Sequence, residues 1–321
     1  AMPDFVREKF SLPDLLQSVK DLHWPKSLED AERARLRFVF DEILQYQLAL
    51  RIARNQADQS GAPLVPFDEN FAKNFTAKMP FELTPDQKRA AWAAFQDMTK
   101  ARPMRRLLQG DVGSGKTAVA AFCAAMVNRA GFSVAFMAPT DILAKQHAKT
   151  LERFLAPHHM PVLLMTSSAR AIYENGVETK LTVAAARERS AQGRVVAVGT
   201  HALLEQGQCP PDLGLAIVDE QHRFGVAQRE ALTVLKRPDG SVPHLLSMSA
   251  TPIPRTLALT FLGDLDVSII RTKPAGRKPI ATRVLVGDPG RNIAYRAIRE
   301  AVERGEQAFV VCPLVDPSDV L

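Results

Sequence analysis

Residues 110–117 combine glycines, a lysine and a threonine at a spacing suited to holding phosphate groups. They read Gly-Asp-Val-Gly-Ser-Gly-Lys-Thr and fit the pattern G-x-x-x-x-G-K-[ST] at every position. Glycines let the backbone curl so that successive N–H groups point inward at phosphate oxygens. Lys116 would supply a mobile cation, and Thr117 a hydroxyl ligand for Mg²⁺. The residues expected to bind the phosphates are Gly110, Asp111, Val112, Gly113, Ser114, Gly115, Lys116 and Thr117.

The same pattern would also suit a glycine-rich turn that only caps a helix. Its surroundings favour the phosphate loop. The apolar pair Leu107–Leu108 predicts a strand before it, and good helix formers from Ala118 to Val127 predict a helix that ends near Gly131. A helix that follows such a loop points the positive end of its dipole at the bound phosphate.

Two adjacent carboxylates, Asp219 and Glu220, follow the apolar run 215–218. Such a pair at a strand end is repulsive without a cation, and nucleotide-bound Mg²⁺ would remove the repulsion. We therefore expect Asp219 to hold Mg²⁺, directly or through water, and Glu220 to polarise the water that attacks the γ-phosphate. The alternative is a solvated acidic pair, and the phosphate loop upstream argues against it.

Gln87 carries two competing predictions. Thr84 and Gln87 have the S/T-x-x-E/Q spacing of a capping box, and Pro85 stands at the first position of the helix predicted over Pro85–Met98. The Gln87 amide also offers one donor and one acceptor with which to read an adenine edge. One amide cannot fully serve both roles.

Other polar residues follow further apolar runs. Ser249 and Thr251 could bond to the neighbouring 219–220 segment and relay the state of the γ-phosphate, although a plain β-to-turn transition is the alternative. A second group offers hydroxyls and backbone N–H groups that suit sugar–phosphate contacts without sequence information. Its members are Pro139, Thr140, Gln146, Gly199, Thr200 and His201.

The bulk composition is that of an ordinary globular protein with a modest excess of basic residues. The 321 residues suggest about two domains, and 46% hydrophobic residues suffice for a buried core. A net charge of +6 permits a polyanionic partner without requiring one, and no apolar run approaches the length of a membrane span. Cys123, Cys209 and Cys312 are widely spaced, which argues against disulfide or zinc frameworks and for a reducing cytoplasm.

The chain divides into three regions. Residues 1–80 show no strand signal, and Leu28–Ala57 is predicted as one long helix whose interspersed arginines are either solvated or DNA contacts. From residue 81, continuous apolar runs alternate with helices, which predicts a parallel α/β sheet buried on both faces, with the motifs at one edge. The predicted strands lie at 107–108, 134–137, 162–165, 195–198, 215–218, 245–248 and 267–270.

A second α/β pattern begins after a basic, Pro- and Gly-containing link over residues 271–280. A strand is predicted at Val284–Val286, a helix at Arg291–Arg304 and another strand at Phe309–Val311. The pattern is incomplete within this sequence.

The order of these motifs resembles that of superfamily 2 helicases and translocases. Two longer strings, at residues 219–226 (Asp-Glu-Gln-His-Arg-Phe-Gly-Val) and 250–258 (Ala-Thr-Pro-Ile-Pro-Arg-Thr-Leu-Ala), resemble the bacterial RecG family of branch-migration helicases. Transcription–repair coupling factors have a similar motor, but there the first string usually reads Asp-Glu-Glu-Gln-Arg-Phe-Gly. Gln221 and His222 therefore favour RecG. Ser249 departs from the more usual threonine and keeps the hydroxyl.

The resemblance implies an ATP- and Mg²⁺-dependent motor that translocates on double-stranded DNA and remodels stalled forks and Holliday junctions in recombination and repair. It implies a helical connector (1–80), a RecA-like P-loop domain (81–270), and a hinge with the incomplete start of a second RecA-like domain (271–321). A wedge domain and the rest of the second motor domain would lie outside these residues, so we expect weak nucleotide binding and little hydrolysis from this chain alone.

The resemblance also implies roles for individual residues. The catalytic group would be Lys116, Asp219, Glu220 and His222, with Thr117 and Asp219 on the metal. Coupling residues would be Gln221, Ser249 and Thr251, and Arg255 would join the DNA contacts. Two other functions stay open: the motor of a transcription–repair coupling factor, with RNA polymerase as partner, and a non-hydrolysing, nucleotide-gated DNA-binding module.

Overall fold

A computed structural model describes residues 2–200, 203, 209–220, 237, 239–250, 265–272 and 281–312. The chain forms two compact units, Ala1–Ala275 and Gly276–Leu321. No helix in these described ranges is long and apolar enough to cross a membrane.

Four helices precede the sheet domain: α1 (Asp4–Lys9), α2 (Leu15–His23), α3 (Leu28–Asp58) and α4 (Glu69–Ala77). The long helix α3 matches the predicted span and packs against α2. One of its predicted solvated arginines, Arg37, is instead only 5% exposed. Its guanidinium donates to Asp41 at 2.9 Å and to the carbonyl of Pro13 at 2.8 Å, so it fixes α3 to the segment before α2.

The described residues form one sheet of nine strands: β1 (Arg105–Gly110), β2 (Ser133–Met137), β3 (Val162–Met165), β4 (Arg170–Glu174), β5 (Val177–Lys180), β6 (Val196–Gly199), β7 (Leu213–Asp219), β8 (His244–Ser249) and β9 (Asp266–Ile270). Their order in the sheet is β5-β4-β3-β6-β2-β7-β8-β1-β9. All pairings are parallel except those of β4 with β3 and β5. The α/β class and all seven predicted strands are therefore confirmed.

None of the predicted strands corresponds to the edge hairpin of β4 and β5. Its turn is Asn175-Gly176, with both φ angles positive (51° and 83°), as a two-residue hairpin turn with the twist of its strands requires. Residues 177–180 are exposed throughout, so β5 lacks the continuous apolar run that marks the buried strands.

Helices cover both faces of the sheet: α5 (Pro85–Met98), α6 (Lys116–Arg129), α7 (Asp141–Leu155) and α8 (Val183–Ala191). Every residue of α6 from Ala118 to Val127 is buried, as expected of a helix that is apolar all round. Alternate strand residues enter two separate core clusters. Phe136 and Ile217 belong to the cluster around α6, whereas Met137 and Val218 belong to the opposite one.

The second unit contains one helix among its described residues, α9 (Gly287–Glu303), close to the predicted helix. The two predicted strands beside it are wrong. Val284 and Val286 are 88% and 82% exposed, and Phe309 and Val311 are 88% and 93% exposed, without regular structure. A strand requires a ladder partner, and the described part of this unit offers none to these apolar runs.

Candidate functional site

The strands that carry the predicted motifs are consecutive neighbours in the sheet, in the order β6, β2, β7, β8 and β1. The register brings their last residues level: Met137 pairs with Gly199, Asp219 with Met248, and Gln109 with Ser249. In a parallel sheet, these carboxyl ends form one edge. The expected convergence of the motifs on that edge is therefore confirmed.

The loop before α6 depends on left-handed glycines. Gly113 and Gly115 have φ angles of 75° and 84°, a conformation that other residues adopt at a cost. A Cβ atom on Gly115 would also lie 2.2 Å from Nε2 of Gln87. The loop therefore needs glycine at position 115 for both its conformation and its packing.

Lys116 closes this loop on itself. Its Nζ donates to the carbonyl oxygens of Gly110, at 2.7 Å, and Asp111, at 3.3 Å. Burial lowers the pKa of the Lys116 ammonium, and the carboxylates of Glu220, Asp219 and Asp111 oppose that shift. The ammonium thus lies in the electrostatic field of the acidic pair. A phosphate group bound there would be attracted by the ammonium and repelled by the carboxylates.

Gln87 is fully buried, and its side chain is hydrogen-bonded to the phosphate loop. The predicted capping box is present: the Thr84 N–H donates to Oε1 of Gln87 at 2.8 Å, and the Gln87 N–H donates to the Thr84 hydroxyl at 3.3 Å. The side-chain Nε2 also donates to the carbonyl of Ser114 at 2.8 Å. The capping box engages the amide oxygen once and Ser114 takes one N–H, so the second N–H and the second lone pair of the oxygen are not used by these hydrogen bonds.

Asp219 has a partner that the sequence analysis did not find. Nε2 of His147 lies 2.8 Å from Oδ2 of Asp219, and both side chains are only 12% exposed. His147 lies on α7, which begins after the Thr140 N-cap. A signal was present, because Leu143, Gln146, His147 and Thr150 follow the i, i+3, i+4, i+7 spacing of one helix face.

Glu220 and the end of β8 are directly bonded. The N–H of Ala250 donates to both carboxylate oxygens of Glu220, at 3.1 and 3.3 Å. The bond thus comes from the backbone of Ala250 and not from the hydroxyls of Ser249 and Thr251 that were expected to contact this segment, and Thr251 lies outside the described residues. Glu220 itself has a φ of 49°, the kind of backbone strain that clusters at functional sites.

A cavity of about 400 Å³ gathers these groups. It is lined by Phe81, Gln87, Val112, Gly113, Gly115, Lys116, Thr117, Leu143, Gln146, His147, Thr150, Asp219, Glu220 and Ala250. Gln146, grouped above with the DNA contacts, thus lies beside the phosphate loop. A larger cavity of about 520 Å³ lies at the opposite edge and contains no predicted site residue. Two of its arginines, Arg129 and Arg189, face carboxylates.

Of the other residues expected to contact sugar and phosphate, Pro139 and Thr140 follow β2, Gly199 ends β6, and Thr200 follows it. The N–H of Ala138 donates to the carbonyl of Gly199 at 2.8 Å, which brings the two loops together. Thr140 is exposed, and its hydroxyl accepts from the Leu143 N–H at 3.3 Å as the cap of α7. Thr200 is only 6% exposed. Several predicted residues lie outside the described ranges: His201, Gln221, His222, Thr251 and Arg255.

The donor set suits a magnesium ion that arrives with a nucleotide. No cluster of three or more His, Cys, Asp or Glu side chains that could hold a metal occurs among the described residues. Mg²⁺ is usually held by one or two protein oxygens together with phosphates and water. Thr117 and Asp219 line the same cavity and supply such oxygens. Cys123 is buried in α6, and burial raises the pKa of its thiol to about 12, as for a core residue.

Comparisons with known proteins agree with this geometry. Over 100% of this chain, 39% of residues are identical to the ATP-dependent DNA helicase RecG of Aquifex aeolicus, of which 40% is covered. The corresponding values for RecG of Bacillus subtilis are 40% identity over 100% of this chain and 45% of that protein. A structure of RecG bound to a three-way DNA junction matches with a TM-score of 0.82 and 36% identity, over 98% of this chain and 41% of that one.

The chain thus spans less than half the length of the relatives it matches. The profile of the DEAD/DEAH box helicases matches residues 84–260, which is more than half of the chain and includes the whole cavity except Phe81. The chain belongs to the DEAD/DEAH box helicase family.

Proposed function

We propose that this chain is the ATP-binding motor segment of a RecG-type DNA helicase. The observation that carries the proposal is the single cavity in which Lys116, Asp219 and Glu220 meet the phosphate loop. Its proposed organisation is a helical connector (1–80), a RecA-like domain (81–270), and a hinge with the start of a second RecA-like domain (271–321).

In this proposal each group of the cavity has one task. The loop N–H groups and Lys116 bind the β- and γ-phosphates of ATP, while Thr117 and Asp219 hold Mg²⁺. Held by these two residues, the ion would neutralise charge that develops on the phosphates. Glu220 accepts a hydrogen bond from the attacking water and polarises it. Its hydrogen bonds with Ala250 transmit the binding and release of the γ-phosphate to the segment after β8.

The proposed substrate is branched or duplex DNA. The relative of known structure is bound to a three-way junction, and forks and Holliday junctions are substrates of the same kind. Pro139, Thr140, Gly199 and Thr200 would contact the sugar–phosphate backbone, together with His201 and Arg255. Such contacts suit a motor because they carry no base specificity.

This segment alone should bind nucleotide weakly and hydrolyse it poorly. The resemblance to RecG implies a complete second motor domain that supplies an arginine to the transition state. Such an arginine contributes roughly 10³–10⁵ in rate in phosphate-loop enzymes. Gln221 and His222 follow the acidic pair in the sequence. We expect the coupling role of Gln221 and the catalytic role of His222 to require the second motor domain.

ATP turnover by this chain, with and without forked DNA, tests the proposal, with Lys116→Ala as the control. We expect Lys116-dependent nucleotide binding and very little DNA-stimulated turnover. Restored stimulation when the remaining motor sequence is joined to the chain would support the motor. Nucleotide binding that never leads to turnover, even in that longer protein, would favour a nucleotide-gated DNA-binding module.

A further inference from the structure

We propose that His147 is a positioning residue for Asp219 and sets the affinity of the site for Mg²⁺. The inference rests on the proposed nucleotide site and assigns a role to a residue outside its motifs. It starts from one contact, in which the imidazole Nε2 lies 2.8 Å from Oδ2 of Asp219. An ionised carboxylate only accepts hydrogen bonds, so Nε2 must carry the proton and donate it.

The imidazole is held in place on two sides. Its ring packs on Phe136 of β2, with ring centroids 4.6 Å apart and planes tilted by 42°. β2 is hydrogen-bonded to β7, and Met137 is level with Val218 just before Asp219. The ring, the carboxylate and the two strands therefore form one packed unit, in which His147 has little freedom to turn away.

This contact constrains the carboxylate without removing its charge. The imidazole engages Oδ2 and restricts rotation of the Asp219 carboxyl group, which leaves Oδ1 for the ion. Hydrogen bonds to a ligating carboxylate orient it and fix the geometry that the metal demands. Mg²⁺ is sensitive to such placement because it needs a near-ideal octahedral arrangement of oxygens.

The course of helix α7 explains why His147 lies beside Asp219. Thr140 caps α7, and the cavity-lining residues of that helix follow one another at helical spacing. His147 lies seven residues after the cap, at the point where α7 passes the end of β7. A helix that begins at one strand end thus reaches back to position an acid on the neighbouring strand.

The test measures Mg²⁺ affinity rather than turnover. The chain is saturated with a fluorescent, non-hydrolysable ATP analogue, Mg²⁺ is titrated, and analogue affinity is also measured in EDTA. We expect His147→Ala to weaken Mg²⁺ binding by roughly 10–100-fold, the usual effect of losing such an outer partner, with affinity in EDTA unchanged. His147→Gln keeps an N–H donor of similar reach and should recover most of the loss.

His159→Asn is the matched control, because His159 is exposed at the opposite edge, bonded to Asn175. Asparagine also tolerates its φ of 55°. Mg²⁺ affinity of His147→Ala equal to that of the control would overturn the inference. The inference would also be overturned if His147→Ala lost as much analogue affinity in EDTA as it lost Mg²⁺ affinity and had a lower melting temperature. That result would indicate a purely structural role. If the unaltered chain binds no analogue under either condition, the proposed nucleotide site fails and the inference with it.

Discussion

Gln87 and Ser114 are joined by a hydrogen bond between a side-chain amide on α5 and a backbone carbonyl in the phosphate loop, 2.8 Å long. The same amide accepts from the backbone of Thr84. One buried side chain therefore connects the start of a helix to a loop 27 residues further along the chain. The conformation of the loop depends on this connection as well as on its glycines.

We predict that Gln87→Ala destabilises the chain and weakens nucleotide binding. The substitution leaves the half-buried Thr84 N–H and the buried Ser114 carbonyl without these partners, and an unsatisfied buried group costs about 1–3 kcal/mol. Urea unfolding and titration with a fluorescent ATP analogue measure the two effects.

Gln96→Ala is the matched control for this prediction. Gln96 lies on the same helix but is exposed, and surface substitutions usually change stability by about 0.5 kcal/mol or less. Equal effects of the two substitutions would show that the hydrogen bonds of the Gln87 side chain do not stabilise the chain.

The parallel sheet and its motif edge were predictable because short apolar runs mark the buried strands and polar residues follow these runs. The apolar run that predicts the strand ends directly before the polar residues that predict the site, as at Leu215–Asp219. The exposed strand Val177–Lys180 gave no such signal, since an edge strand can be entirely polar. The apolar runs at Val284 and Phe309 gave a false one, because a sequence window does not say whether a pairing partner is present.

The site was predictable only as far as its groups act through local motifs. The phosphate loop and the acidic pair are contiguous strings, so their position followed from the pattern. The partner of Asp219 is 72 residues away at His147, and such a contact depends on how α7 crosses the sheet. A single sequence gives the helix face but not the strand end that it meets.

Gly115→Ala should abolish nucleotide binding even where the chain remains folded. A Cβ atom there would lie 2.2 Å from Nε2 of Gln87, so either Gln87 or the loop must move. The left-handed conformation adds about 1–2 kcal/mol of strain. Analogue titration measures binding, and circular dichroism confirms the fold.

Gly176→Ala separates conformational strain from the clash. Gly176 has a φ of 83°, against 84° for Gly115, but a Cβ atom on it would meet nothing within 4 Å. We expect it to lose stability without losing nucleotide binding. Full analogue binding by Gly115→Ala would show that the loop adapts and that Gln87 does not constrain it.

Asp86 should make the stability of the chain depend on pH in the acid range. Its carboxylate accepts from the N–H groups of Arg271 and Thr272 and from the Thr272 hydroxyl, at 3.0, 2.8 and 2.7 Å. The Thr272 and Arg271 hydrogen bonds lower its pKa to about 2. These bonds stabilise the fold above the unfolded pKa of about 4, and the stabilisation disappears as pH falls towards 2.

Asp86→Asn should therefore reduce the free energy of unfolding most at neutral pH, with a difference from the unaltered chain that shrinks between pH 4 and pH 2. Urea unfolding across that range measures it. Arg89→Ala is the control, because the Arg89 side chain in the ion pair with Asp86 is 73% exposed and ion pairs exposed to solvent contribute about 1 kcal/mol or less. An equal or larger effect of Arg89→Ala would assign the stabilisation to the ion pair instead.

His244 should cause a second pH dependence, nearer neutrality. It is fully buried on β8 and neutral: Nδ1 accepts from the Met104 N–H at 2.9 Å, and Nε2 donates to the Pro63 carbonyl at 2.8 Å. Burial lowers its pKa to about 4. The unfolded chain therefore binds a proton that the folded chain refuses, so stability falls as pH decreases from about 6.5 to about 4, by roughly 3 kcal/mol in total.

His244→Gln should remove this slope, since glutamine does not titrate, although its different shape will lower the free energy of unfolding at pH 7. The measurement is urea unfolding of both chains at intervals from pH 7 to pH 4, with His159→Gln as a control histidine that is exposed. Because His244 joins β8 to the segment that follows the long helix α3, its protonation should loosen that attachment first. An identical slope in both chains would show that other groups govern the acid response and that His244 titrates alike in the folded and unfolded states.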